Sequence, residues 1–295
     1  MPTSTPAGSD LAISFEFFPP SDDAGEARLW ETVRELAPLG PEFLSVTYGA
    51  GGSTQVHTDR IVRRIAKETD LTPTAHLTCV GQSRSEVVER ARGWWQAGVR
   101  SILALRGDPP KGSRRFQPHP DGFQDAAELV GSLKEMAPFH IGVGGYPEVH
   151  PDSPSEAADT ANLKRKVDAG ADRIITQFFF ETDDFLRFRD RCDRAGIDVP
   201  VIPGVLPIFN FGKVKRFAQG CGAKVPGWLE ARFEGLDAYP ETRALVAASV
   251  ASEQCNRLLA EGVRHFHFYT LNRARLTYAV CRAIGVAPAV AAEAA

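Results

Sequence analysis

Short β-rich runs recur along the chain at 13–18, 43–47, 74–78, 101–105, 140–144, 173–177, 201–204 and 265–269. Between them apolar residues fall at helical spacing: Leu29, Val33 and Leu36; Ile61 and Ile65; Val87, Val88, Ala91 and Trp95; Leu129, Leu133 and Met136. Eight strand-helix units with a period of about 30 residues imply parallel strands joined by right-handed crossovers. Their closed arrangement is an α/β fold of the (β/α)8, or TIM, barrel class, with an open doubly wound sheet as the alternative. Three predicted helices end in Ala-Gly, at 97–98, 169–170 and 195–196, where glycine supplies a left-handed cap. Two stretches, 109–122 and 210–262, break the rhythm and read as an inserted loop and as extra helices before the last strand. With loose ends expected at 1–10 and 287–295, residues 1–295 are expected to form a single catalytic domain.

Alternation along each strand sends one set of side chains to the helices and the other into the barrel lumen. The apolar set marks the helix side. Phe15, Phe17, Leu44 and Val46 then face outward, while Ser14, Glu16, Phe18, Ser45 and Thr47 face inward. Thr74, His76 and Thr78 share one face, as do Ile175 and Gln177, and His267 and Tyr269 oppose Phe266 and Phe268. Barrel lumens are normally filled by branched apolar residues, so this convergence of polar groups points to a site at the C-terminal mouth.

Composition narrows the partners. Lys and Arg number 34 against 37 Asp and Glu, a net charge of -3 that offers no field to gather nucleic acid or anionic lipid. No apolar stretch approaches the roughly 18 residues of a membrane span, so a cytoplasmic protein with a small-molecule substrate is expected. Cys79, Cys192, Cys221, Cys255 and Cys281 show no metal or redox spacing and read as buried thiols.

Glu16, between Phe15, Phe17 and Phe18, is expected to be pushed toward its neutral form by desolvation, which would let it donate a proton near neutral pH. The plainer possibility is a structural carboxylate paired with a Lys or Arg. His76 is equally compatible with a hydrogen-bonded structural role. The seven histidines include one i, i+2 pair on a strand, His265 and His267, too little to imply a metal, and none is expected. Arg106, Gly107 and Asp108 end the fourth strand at the rim where barrel sites lie, or form a plain turn. Glycines 49, 51 and 52 would let backbone amides approach a flat or phosphorylated ligand, without Rossmann or Walker spacing. Asp159, Asn162, Arg165 and Lys166 share a helix face that binds a ligand or is simply solvated.

Longer strings carry a resemblance. SFEFFPP at 14–20, SVTYGAGGST at 45–54, AHLTC at 75–79, LRGD at 105–108, YPEVHP at 146–151, NLKRKVDAGAD at 162–172, TQFFF at 176–180 and FHFYTLNRA at 266–274 closely resemble bacterial methylenetetrahydrofolate reductases from about residue 13 to 286. The resemblance implies a FAD-bearing barrel that reduces 5,10-methylenetetrahydrofolate with NADH or NADPH. Flavin is reduced first and folate then enters the same face, so one stacking pocket serves two substrates in turn. It implies Glu16 as the acid that opens the folate's five-membered ring to an iminium cation. Asp108 is implied as the carboxylate that holds the pterin and favours that cation.

For FAD the resemblance implies contacts from Thr47, Tyr48, Ala50, His76, Arg106, Gly107, Asp108, Ala126 and Tyr146 around the flavin. It implies others from His150, Asp159, Asn162, Arg165 and Lys166 around the adenosine and diphosphate. For the substrates it implies Glu16, Gln177, Phe217 and Arg273, with Lys213 added where some relatives carry glutamine. Asp125 stands where the family often has a flavin-side aromatic, so stacking is not expected there. A homo-oligomer is expected. The competing possibilities are a cofactor-free barrel lyase or aldolase and a non-catalytic flavin or folate binder.

Overall fold

The computed structural model describes residues 11–48, 55–108 and 116–289. Nine parallel strands lie in the order β7-β6-β5-β4-β3-β2-β1-β9-β8. They are β1 (Ala12–Phe17), β2 (Phe43–Val46), β3 (Pro73–Thr78), β4 (Ser101–Leu105), β5 (His140–Gly145), β6 (Arg173–Thr176), β7 (Val201–Ile202), β8 (Gly204–Val205) and β9 (His265–Tyr269). The seventh predicted strand is thus two short ones, and Pro203 between them is the reason. Proline cannot donate to the ladder. Val201–Ile202 pairs with β6, and past the proline Gly204–Val205 pairs with β9. The gap is bridged by the His267 N–H donating to the Pro203 carbonyl at 3.0 Å and the Gly204 N–H donating to Thr176 Oγ1 at 2.9 Å. Because β7 and β8 are consecutive in the chain and end the sheet at opposite edges, the circle closes through this proline. The predicted TIM-type barrel is correct.

Helices α1 (Asp23–Leu36), α2 (Gln55–Glu68), α3 (Arg84–Gln96), α4 (Ala126–Met136), α5 (Glu156–Asp168) and α6 (Thr182–Arg194) follow the first six strands. Local chemistry starts them: Asp22 accepts from the Gly25 N–H, Ser83 and Glu86 form a reciprocal capping box, and Ser155 accepts from Ala158. The predicted helix ends at Gly98, Gly170 and Gly196 all carry positive φ. The predicted apolar stripes are buried at Leu29, Val33, Leu36, Ile61, Ile65, Val87, Ala91, Leu129 and Leu133. On α3, however, Trp94 is the fully buried tryptophan, its Nε1 donating to Asp59 Oδ1, while the expected Trp95 is only partly buried against Phe139. The excursion at 210–262 folds as α7 (Phe211–Cys221), α8 (Gly227–Phe233), a 3-10 turn and α9 (Pro240–Ala260), with α10 (Ala274–Ala283) after β9. Residues 109–115 of the other excursion lie outside the described residues.

Outward strand residues, among them Phe15, Phe17, Leu44, Val46, Ile102, Phe266 and Phe268, join the helices in one apolar core. Inside the barrel, Phe43, Leu103 and Ile175 form a small separate apolar cluster. Arg173 stacks over Phe43 at 3.8 Å and donates to Thr74 Oγ1 and Ser101 Oγ, plugging the N-terminal end. The upper lumen is left to Ser14, Glu16, Ser45, His76 and His267, all buried. Closure is tightest at Gly204, where a Cβ would lie 2.2 Å from the Thr176 carbonyl oxygen and 2.6 Å from the Tyr269 ring. Gly204→Ala is therefore expected to cost about 2 kcal/mol or more, read as a lower urea midpoint with unchanged slope.

Candidate active site

β1 presents Glu16 to the lumen at 6% exposure. Its Oε2 lies 3.3 Å from His76 Nε2 on β3 and 3.6 Å from His267 Nε2 on β9. Its backbone carbonyl accepts from the Thr270 hydroxyl and N–H, at 2.6 and 3.2 Å, which pins the strand end. Burial by itself raises this carboxyl, but the two imidazoles outweigh it and hold it at about 2. This corrects the expectation of a neutral carboxyl. Phe15 and Phe17 lie across the strand among the helices, so the groups that face Glu16 are imidazoles rather than phenyl rings. Burial pushes His267 down. At neutral pH the carboxylate thus carries the charge, and the neutral imidazole tautomer that fits carries its proton on Nε2, which faces Ser45 Oγ at 3.4 Å and Glu16 Oε2 at 3.6 Å, and accepts at Nδ1 from Ser14, 2.8 Å away.

Around this centre the strand ends deliver the other predicted residues. Thr47 follows β2 and is half-buried, its carbonyl accepting from the Thr58 hydroxyl. Tyr48 is buried, and desolvation pushes its hydroxyl up to about 12. Ala50 falls outside the described residues. Arg106, Gly107 and Asp108 extend from β4. Gly107 has φ +88°, and a Cβ there would meet Val80 Cγ1 at 2.6 Å, so only glycine carries the chain through. Asp108 is exposed and acts electrostatically on Tyr146 and Cys221 across the mouth. Four of the five thiols are buried as expected; Cys221 is the partly open one.

A second group forms where β5 meets α4 and α5. Burial pulls Lys166 down to about 8, and its Nζ donates to the Gly144 carbonyl at 2.7 Å. His150 packs edge-on against Tyr146 at 4.5 Å, and its N–H donates to Asp159. Val149, a β-branched residue at φ +74°, stores strain in this loop. Arg165 contacts Asn162 Oδ1 at 3.4 Å and pairs with Asp125 at 2.6 Å. Arg106 pairs with Asp152 at 2.6 Å. Asp125 also caps α4, accepting from the Ala127 and Glu128 N–H groups, with Ala126 buried as the first helical residue. Asp125 is thus both the N-cap of α4 and the partner of Arg165.

The third group is a lip of rings. Gln177 follows β6, its Oε1 accepting from the Phe178 N–H. Phe178 stacks on Phe217 of α7 at 5.4 Å and meets Tyr269 edge-on at 6.2 Å. Phe217 remains 42% exposed, which leaves one ring face open. Arg273 lies over Phe209 at 4.3 Å, and Lys213 is exposed at the start of α7. Sequence reasoning missed Phe209, Phe178 and Asp152. The first two sit in apolar runs that read as core, and Asp152 reveals itself only by the ion pair it makes.

These residues suit a flavin dinucleotide. Thr78 Oγ1 and Gln82 Oε1 are buried without hydrogen-bond partners among the described residues, beside the backbone-permissive Gly107. Arg106, Arg165 and Lys166 offer cations for a diphosphate. A metal finds no comparable donor set among the described residues.

The family model described as methylenetetrahydrofolate reductase matches residues 3–285. The 5,10-methylenetetrahydrofolate reductases of Salmonella typhimurium and Escherichia coli are 50% and 49% identical over 278 residues, each match covering 94% of this chain and 92% of the relative. The Arabidopsis thaliana methylenetetrahydrofolate reductase (NADH) 1 is 39% identical over 88% of this chain and 46% of its own length. Among solved structures, an uncharacterized Clostridium thermocellum protein that binds two copies of 5-methyl-5,6,7,8-tetrahydrofolic acid superposes with a TM-score of 0.61 at 14% identity, over 94% of both chains. That last likeness is one of fold.

The lowered Glu16 has a consequence for stability. Its folded value, about 2, lies below the ordinary 4.5, so its contribution is complete above about pH 4.5 and is lost as pH falls toward 2. In urea unfolding, wild type should exceed Glu16→Gln at pH 7, and the gap should shrink by pH 3. A gap that widens on acidification would refute the ionised assignment.

Proposed function

The chain belongs to the methylenetetrahydrofolate reductase family, and from that premise we propose that it reduces 5,10-methylenetetrahydrofolate to 5-methyltetrahydrofolate with NADH or NADPH, in a ping-pong cycle through bound FAD. The observation that carries the proposal is a buried carboxylate, Glu16, set between two imidazoles and beside Tyr269, whose ring meets the Phe178–Phe217 stack. When bound, FAD supplies the store that accepts hydride from one substrate and yields it to the next. Gly107, Thr78 and Gln82 would border its ring system, and Lys166, Arg165 and Arg106 would meet its phosphates. Arg165 and Arg106 are already paired with Asp125 and Asp152, so the phosphates exchange one anionic partner for another rather than meeting bare cations.

The chain's own groups divide the remaining work. Phe217, stacked on Phe178 with its other face open, holds whichever planar substrate is present, because stacking tolerates different rings. Gln177 would offer its amide to the same ligand, and Arg273 and Lys213 would offer cations for a substrate's carboxylates. Substrate covering the mouth removes water from Glu16, which raises its carboxyl and turns an ionised group into one able to hold and deliver a proton. That proton opens the folate's ring, and the exposed carboxylate of Asp108 favours the cation that forms. A Schiff-base lyase would need a lysine free at a strand end. Lys166, which reaches the end of β5 from α5, is instead engaged by the Gly144 carbonyl.

The purified protein should be yellow, bleached by anaerobic NADH and restored by methylenetetrahydrofolate; protein with no bound flavin would sink the proposal. Stopped-flow measurement should show Glu16→Gln bleached at close to the wild-type rate but reoxidised about 100-fold more slowly. Equal loss in both half-reactions would remove Glu16 as the acid. Phe217→Ala should slow both half-reactions by about 3- to 10-fold, the worth of one aromatic contact.

A further inference from the structure

Below Glu16 the lumen continues as a line of proton-carrying groups that the reductase chemistry above leaves unused. His267 Nδ1 lies 2.8 Å from Ser14 Oγ, and the same oxygen lies 3.1 Å from His265 Nε2. His265 Nδ1 is 3.3 Å from Glu42 Oε2. At the upper end, His267 Nε2 faces Glu16 Oε2 at 3.6 Å and Ser45 Oγ at 3.4 Å. Exposure grades along this line: Ser14 and His267 are sealed at 0%, the His265 side chain is 18% open and that of Glu42 is 51% open. Glu42 immediately precedes β2 and His265 begins β9, so the open end lies at the N-terminal face of the barrel, opposite the substrate mouth.

We propose that Glu42, His265, Ser14 and His267 form a proton conduit through the barrel that recharges Glu16 from the face opposite its substrates. The inference rests on the reductase reading and adds a route for its proton. With planar rings covering the mouth, bulk water has no direct path to Glu16 from above, whereas Glu42 stays in contact with solvent. Burial, aided by the neighbouring His267 and Arg173, lowers His265 to about 3, and burial lowers His267 too, so both imidazoles are neutral and no cation need be carried through the lumen.

The transfer balances. The Glu42 carboxyl gives its proton to His265 Nδ1 as the Nε2 proton of that ring passes to Ser14 Oγ. The Ser14 hydroxyl proton passes to His267 Nδ1, and the Nε2 proton of His267 passes to the Glu16 carboxylate. Both rings end in the other neutral tautomer, Glu42 ends ionised and is reprotonated by water, and Glu16 ends as the acid. The other groups facing the line are Arg173, 3.5 Å from Glu42 Oε1, His76 beside Glu16, and Phe43 and Tyr269, each 5.5 Å from the His267 ring. Arg173 anchors the Glu42 carboxylate at the entrance. Ser14 has one competing acceptor, the Phe266 carbonyl at 3.5 Å, and both imidazole contacts are shorter.

The test is stopped-flow on the flavin-loaded protein, following bleaching by NADH and reoxidation by methylenetetrahydrofolate between about pH 6 and 9, in H2O and D2O. Ser14→Ala should leave bleaching within twofold yet slow reoxidation by about 10-fold or more, the loss expected when a positioned proton source is cut off. Ser14→Thr, which keeps the hydroxyl, should restore most of it. Glu42→Gln should depress reoxidation increasingly as pH rises and solvent protons become scarce, and should change its solvent isotope effect. Wild-type rates and pH profiles in both Ser14→Ala and Glu42→Gln would overturn the conduit, since the proton then enters from the mouth. Equal slowing of both half-reactions would also overturn it, as a merely structural network. Wild-type protein that binds flavin but does not bleach would instead fail the reductase reading and take the conduit with it.

Discussion

A carboxylate sealed inside a barrel has to be held by other polar groups, and much of this molecule's interior follows from that requirement. Glu16 keeps its charge because His76 and His267 stand within 3.6 Å of it. His267 is placed in turn by Ser14 and Ser45 and by the ring of Phe43. An unpartnered carboxylate in the same place would be neutral or would not be tolerated, because desolvation of a lone charge is far costlier than any packing it gains. The lumen therefore departs from the usual stacked layers of branched apolar residues. Among the described residues, only Phe43, Leu103 and Ile175 form a buried apolar cluster of that kind, and even there the Arg173 guanidinium lies across Phe43.

The mouth is built on the same economy of charge. Arg106 and Arg165 are paired with Asp152 and Asp125, and Lys166 is braced by the Gly144 carbonyl. A near balance of 34 basic against 37 acidic residues thus hides local ion pairs gathered at the mouth. The apolar part of the mouth comes from the excursion before the last strand. Its α7 carries Phe217 onto Phe178, so a region that interrupts the strand-helix rhythm supplies a partly exposed aromatic ring at the mouth.

Several features are legible in the sequence. Alternation assigned Ser14, Glu16, Ser45, His76 and His267 to the lumen, because a period of two in a half-apolar strand leaves little choice once one face is buried. Helix stripes and Ala-Gly ends were legible for the same local reason. Other features were not. Trp94 and Trp95 are adjacent and equally apolar, and which one turns inward depends on the rotation of α3 against Asp59 and Phe139. The break at Pro203 reads as a strand in sequence because the residues on both sides are extended; only pairing with two different neighbours divides it.

The sequence by itself determined the barrel class, the face on which polar groups gather and the family. Each rests on periodicities and ordered motifs that survive without knowledge of distance. Tertiary structure alone decided the state of Glu16. In sequence it is flanked by Phe15, Phe17 and Phe18 and reads as a neutral acid. In space those at 15 and 17 belong to the helix layer, and residues 60 and 251 positions away along the chain meet the carboxylate with imidazoles. A pKa answers to neighbours within a few ångströms, and a closed barrel chooses those neighbours from different strands rather than from the same one.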